Sequence, residues 1–258
     1  MRRVTSALVV STVVALCLAI FAAAPNVPSN TWAPTGDMSQ ARAGGAATLL
    51  RDGRVLVSGG LDENGVATAS VERYGPAGGS FLSTPSMQMA RANHTSTLLP
   101  DGRVLVAGGV DASGIAVSSA EIYDPQANTW VASPPMYRAR SGQTAIALYD
   151  GRVVIAGGND GSVSLDSIEV YDQVTGVFTL SNASLSAART GHAASLLYDG
   201  KVFIAGGFNG TSALRSVDIY DPWADAVAAA ARLATARAGH SATTLLSECE
   251  RARVGRGL

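Results

Sequence analysis

Arginines, histidines and acids stand in this chain at spacings that could do chemistry. Arg42, Arg91, Arg140, Arg189 and Arg237 recur at near-constant steps. His94, His192 and His240 each lie three residues after one of them, with Gly45 and Gln143 in the remaining places. Glu72, Glu121, Glu169 and Asp218 keep the same rhythm. Gathered on one face of a fold, the arginines and histidines are candidates for holding an anionic ligand, and the histidines for converging on a metal. The rhythm itself argues the other way. A site is normally built once, whereas a residue present in each copy of a repeat belongs to the repeat. The arginines and acids are therefore expected as buried, charge-paired staples, and no catalytic, metal or cofactor-binding residue is assigned.

The elements that must position these groups follow from the same period. A double glycine falls at Gly59-Gly60, Gly108-Gly109, Gly157-Gly158 and Gly206-Gly207, a step of 49 each time. Between arginine and double glycine lie a small, Thr-rich segment, an Asp-Gly pair (Asp52-Gly53, Asp101-Gly102, Asp150-Gly151, Asp199-Gly200) and a Val-rich run. Asp-Gly between two apolar runs predicts a type I′ hairpin. After the double glycine comes a polar loop, then Ser-x-acid-x-Tyr, whose alternation predicts a third strand. Phe81, Trp130 and Phe178 lie seven residues past each tyrosine and mark a fourth strand, while in the last copy Val227 takes that place and Trp223 stands four residues earlier. Residues 42 to 236 are thus expected as four antiparallel four-stranded sheets, segments like Thr95 to Leu99 innermost. The weakest element is the last outer strand, where Ala228 to Ala231 has poor strand propensity.

These residues resemble the bacterial form of the kelch repeat, most fully in the second copy with Arg91, His94, Asp101, Gly102, Gly108, Gly109, Glu121, Tyr123, Asp124, Pro125 and Trp130. The resemblance covers roughly residues 30 to 246. It implies an all-β, kelch-type β-propeller with one blade per repeat, here four complete blades and an incomplete fifth. Trp32 stands ten residues before Arg42 like the outer strand of a blade begun elsewhere, and Arg237 to Leu246 repeat only an innermost strand. Residues 247 to 258 then leave the pattern. The expectation is an open or truncated ring, cut short by a frameshift or early stop, with blade edges open to self-association.

The resemblance also implies enzymes to weigh. Some kelch proteins are copper oxidases of galactose and related alcohols, whose site needs a cysteine crosslinked to a tyrosine, yet no cysteine lies between Cys17 and Cys249. Another bacterial kelch family epimerises sialic acid in the periplasm, and no catalytic set matches it residue by residue. Asp-rich turns such as Asp62-Glu63-Asn64-Gly65 are too poor in carboxylates for calcium loops and suit Asx turns.

Composition bounds the rest. With 19 Lys+Arg against 20 Asp+Glu, of which Lys201 is the single lysine, the chain offers no electrostatic case for nucleic acid. Arg2 and Arg3 precede an uncharged apolar run from residue 4 to 24, so residues 1–28 read as an export signal or membrane anchor, residues 29–246 as propeller and 247–258 as a non-repeat tail. The expected protein is secreted or periplasmic, or anchored facing outward. It is a non-catalytic binding module for a protein or glycan ligand met by loops on one face, with no cofactor. The alternatives are a carbohydrate-active kelch enzyme, galactose-oxidase-like or sialic-acid-epimerase-like, and an inactive truncated copy.

Overall fold

The computed structural model describes residues 34–245. Residues 1–28, read above as an export signal or anchor, Trp32, both cysteines and the 247–258 tail lie outside the described residues. Within them the chain forms sixteen strands in four antiparallel sheets, each in simple up-and-down order. Blade 1 holds β1 (Ala46–Leu49), β2 (Val55–Ser58), β3 (Val71–Gly75) and β4 (Ser80–Thr84). Blade 2 holds β5 (Thr95–Leu98), β6 (Val104–Ala107), β7 (Ala120–Asp124) and β8 (Thr129–Ser133). Blade 3 holds β9 (Thr144–Ala147), β10 (Val153–Ala156), β11 (Ser167–Asp172) and β12 (Val177–Ser184). Blade 4 holds β13 (Ala193–Leu196), β14 (Val202–Ala205), β15 (Val217–Asp221) and β16 (Ala226–Ala229). Among the described residues no helix is long and apolar enough to cross a membrane.

The innermost strands stand side by side in chain order, β1 with β5, β5 with β9 and β9 with β13, and no comparable contact joins β1 to β13. The described blades form an open arc.

The core lies between blades rather than inside one. On β6, Val104 and Val106 pack towards blade 1 against Leu56, Val71 and Met87. Leu105 and Ala107, one residue out of phase, pack towards blade 3 against Val153 and Ile155. Strand periodicity puts alternate side chains on opposite faces, so a Val-rich second strand buried on both sides seals two joints at once. In β10 the same division sends Val154 and Ala156 towards blade 4, beside Val202 and Ile204. Removing apolar area from water supplies roughly 25 cal/mol per Å² at each joint. The blades are thereby held to their neighbours rather than to a common centre.

The aromatic seven residues after each tyrosine lies directly across from it. Tyr74 faces Phe81, Tyr123 faces Trp130 and Tyr171 faces Phe178, with ring centroids 4.9 to 5.0 Å apart. Blade 4 places Val227 opposite Tyr220, and β16 forms in spite of its alanines. The cross-strand pairing to β15 overrides its low propensity.

One expectation is corrected. The Asp-Gly hairpins are not type I′, which needs positive φ at both central residues. Only the glycine is left-handed, Gly102 with φ 91°, and no Asp of these pairs is. The connection is a three-residue loop: Gly102 N donates to Leu99 O (2.9 Å) and Leu99 N to Arg103 O (2.8 Å). This is a type I turn followed by a left-handed glycine. Asp101 Oδ1 accepts the Arg103 N–H at 2.9 Å, and the same bond recurs at Asp52, Asp150 and Asp199. That local bond holds the aspartate in the ordinary turn conformation.

Candidate functional site

The up-and-down order sends the chain's special residues to two ends of the arc. The repeated arginines, the double glycines and the β2–β3-type loops share one end, the loop face. The Asp-Gly hairpins and the third-to-fourth-strand turns share the other, the turn face.

On the loop face each arginine enters its own blade. Arg91 Nη2 meets Glu121 Oε1 at 2.8 Å, while Nη1 donates to the carbonyls of Gly108 (2.9 Å) and Ser119 (3.1 Å). Glu121 in turn accepts the backbone N–H groups of Gln88 (2.6 Å) and Met89 (3.1 Å). The construction repeats as Arg42–Glu72 (2.7 Å), Arg140–Glu169 (2.6 Å) and Arg189–Asp218 (2.7 Å). Arg91, Arg140 and Arg189 are 0% exposed, and the Arg42 side chain is buried too. Burial pulls the Arg140 guanidinium below its usual pKa, against the pull of Glu169. Each staple fastens the segment entering a blade to that blade's third strand. These four arginines sit inside the blades, with no open face toward an anion.

The histidines are joints between blades. His94 reaches back to blade 1, its Nε2 3.0 Å from Ser58 Oγ, and His192 Nε2 lies 2.8 Å from Thr144 Oγ1 of blade 3. Gln143 fills the same place with Nε2 donating to Ala107 O of blade 2 at 2.9 Å. Each of these side chains lies against the first glycine of the preceding blade. A Cβ on Gly157, whose φ is +61°, would sit 2.5 Å from Arg189 O and 2.8 Å from His192 Cε1. The second glycine completes the joint, Gly158 N donating to Arg189 O at 2.8 Å. Burial first, and then the neighbouring Arg91 or Arg189, presses the pKa of His94 and of His192 down to about 3. Both rings are neutral at physiological pH. His240 is half-buried and its pKa is lowered by burial and by Arg237, which is exposed and makes no ion pair among the described residues. The described residues include no group of three His, Cys, Asp or Glu placed to hold a metal.

A feature unforeseen from the sequence runs along the inner rim. Gly239 N donates to Gly191 O, Gly191 N to Gly142 O, Gly142 N to Asn93 O and Asn93 N to Gly44 O, at 2.7 to 3.0 Å. All five residues are left-handed, Asn93 included at φ 53°. The signal was present as a glycine two residues after the repeated arginine, with asparagine as its one substitute.

The β2–β3-type loops are the exposed part of this face, braced by an aspartate in blades 1 to 3 and by Asn209 in blade 4. Asp62 Oδ1 accepts from Asn64 N and Val66 N, Asp111 Oδ1 from Ser113 N and Ile115 N, and Asp160 Oδ1 from Ser162 N and Val163 N, at 2.8 to 3.0 Å. The Val66 and Val163 N–H groups, foremost among these, hold the Asp62 and Asp160 carboxyls below the usual range. The expected Asx turns are present, and those of blades 1 to 3 present an exposed aliphatic: Val66, Ile115 (62% exposed) and Val163. Tyr137, 67% exposed, stands on the same face in the connection between blades 2 and 3.

The model for the kelch motif matches residues 91–137, 140–180 and 189–226, each span beginning at one of the buried arginines. This chain is a kelch-repeat β-propeller protein. Among solved structures, this kelch chain is similar to that of YjhT, with a TM-score of 0.66 and 16% identity over 78% of this chain and 73% of the other. At that identity the likeness shows the fold. No curated protein matches the kelch chain.

Proposed function

We propose that this protein is an exported, non-catalytic kelch module that binds a macromolecular ligand across its loop face. The observation that carries the reading is the set of braced loop tips. Val66, Ile115 and Val163 occupy corresponding places in three successive blades, are solvent-exposed, and are held by backbone bonds to Asp62, Asp111 and Asp160. Rigid loops present apolar groups without the ordering cost that a mobile loop adds on binding. Tyr137 adds an aromatic of the kind that anchors interfaces. The ionisable groups that look catalytic in sequence are engaged elsewhere: four arginines and their acids in staples, His94 and His192 in joints. The apolar run from residue 4 to 24 supports export.

The test compares the full chain with an Ile115→Asp/Tyr137→Asp variant in capture from the extracytoplasmic fraction of the source cells, after circular dichroism shows equal folding. Species retained by the wild type and lost by the variant are expected. Identical retention by the two proteins sinks the loop-face reading, and recovery of the chain only in the cytoplasmic fraction sinks the export reading.

A further inference from the structure

On the turn face the clefts between successive blades are built alike, and one of them differs in a way the repeat does not explain. The cleft between blades 1 and 2 is lined by charged and polar side chains, among them Arg51, Asp101, Arg103 and Gln126, with Leu50 and Pro125 and no aromatic. Its counterpart between blades 3 and 4 encloses about 190 Å³ and is lined by Tyr149, Tyr198 and Trp223 together with Asp150 and Asp199. Tyr149 and Tyr198 stand where the other blades have Arg51 and Pro100, and Trp223 where blade 2 has Gln126. Large aromatics are costly to leave in water, yet Tyr149 is 69% and Trp223 74% exposed. No core contact requires them, and they occur in this cleft alone among the described hairpins.

The charges around these rings select the ligand. The Arg152 guanidinium carbon lies 5.0 Å from the centroid of the Trp223 ring, so one cation is already seated on an aromatic face here. Arg152 also pairs with Asp150 at 2.8 Å. Lys201 is shared between Asp199 (3.4 Å) and Asp221 (3.8 Å), so three carboxylates face two cations and one negative charge is left over. Backbone N–H bonds from Trp223 and Ala224 hold Asp221 below its ordinary pKa, which keeps that charge in place at neutral pH. An aromatic-walled cleft with surplus negative charge favours an organic cation: the ring quadrupoles attract it and the carboxylate balances it.

We propose that the cleft formed by Tyr149, Tyr198 and Trp223 binds an organic ammonium group, the head of a small quaternary amine or of a lysine side chain. This site is separate from the loop face and stands or falls independently of the function proposed for it. The test is saturation-transfer NMR on the full chain with choline, Nα-acetyl-lysine amide and 3,3-dimethylbutan-1-ol, the last being choline's uncharged carbon analogue. Saturation of the choline methyl protons or of the lysine ε-methylene is expected, with a dissociation constant on the order of millimolar, and none for the neutral analogue. Which of the two ammonium compounds responds tells a free amine from a protein side chain. Trp223→Ala and Tyr149→Ala should each weaken binding about tenfold, Asp199→Asn less, and Gln126→Ala, at the matching place in the cleft without aromatics, not at all. Trp223 and Tyr149 are too exposed for their loss to unfold the blade, and circular dichroism checks this. Absence of saturation from both ammonium compounds, equal saturation of the neutral analogue, or full binding by the Trp223→Ala/Tyr149→Ala double variant overturns the proposal.

Discussion

Removing the Glu121 carboxylate tests whether the staples hold the propeller together. In Glu121→Ala the Arg91 guanidinium, 0% exposed, keeps its bonds to Gly108 O and Ser119 O but loses its counter-charge. The backbone N–H groups of Gln88 and Met89 lose their acceptor as well. An uncompensated buried charge costs about 3–5 kcal/mol. Each stranded N–H adds about 1 kcal/mol where water does not reach it. A loss of about 5–7 kcal/mol is a large part of the roughly 5–15 kcal/mol by which a domain is usually stable. Glu121→Gln keeps the acceptor and sheds the charge, so it should fall between. Arg91→Met/Glu121→Leu removes both ions and replaces them with apolar volume, and should recover much of the loss. Equilibrium urea denaturation followed by circular dichroism reads all four proteins. The reasoning is refuted if Glu121→Ala shifts stability by less than about 1 kcal/mol, or if the double variant is no better than Glu121→Ala.

Two further outcomes are expected. The unfolded chain protonates His94 and His192 near 6.5 while the folded chain resists until about 3, so stability is complete above about pH 6.5 and falls as pH drops through that window, by about 1.4 kcal/mol per unit for each histidine. Denaturation midpoints at pH 7 and 4.5 should differ accordingly, and His94→Gln, which copies Gln143, should lessen the difference; an unchanged slope in that variant counts against burial of a neutral ring. Gly157→Ala should lower the thermal midpoint by several degrees, since its Cβ would meet Arg189 O at 2.5 Å and the backbone is left-handed, whereas Gly161→Ala, in open space, should cost only its own backbone strain; equal losses at the two sites would deny the joint its role.

Much of the arc was legible in the sequence because the repeat states each rule several times. Arg, acid, double glycine and tyrosine recur in step, and burial of the staples followed from asking what a residue needed in every blade can be. The hairpin type was misread where the sequence held a correction: Pro100 fixes φ near −65°, which suits the second position of a type I turn and not a type I′. What the histidines touch was illegible, because their partners Ser58 and Thr144 come from the preceding blade, 36 and 48 residues away. The aromatic cleft was hidden for a related reason. Trp223 appeared only as a residue out of step, and nothing in one dimension puts it beside Tyr149 and Tyr198.

The chain of bonds from Gly239 through Gly191, Gly142 and Asn93 to Gly44 all runs in one sense. Every joint along it has the same donor and acceptor, so each blade presents to the next what it receives from the one before. Such a thread makes the repeats interchangeable along this rim: a blade gained or lost by duplication or deletion of one 49-residue unit leaves the same backbone donor and acceptor to meet at the new junction, whatever the side chains beside it. Among the described links Asn93 alone carries a side chain, and its Oδ1 would lie 2.5 Å from a Cβ added at Gly44. Two adjacent links cannot both change freely, so drift along the rim is coupled from blade to blade even as whole blades come and go.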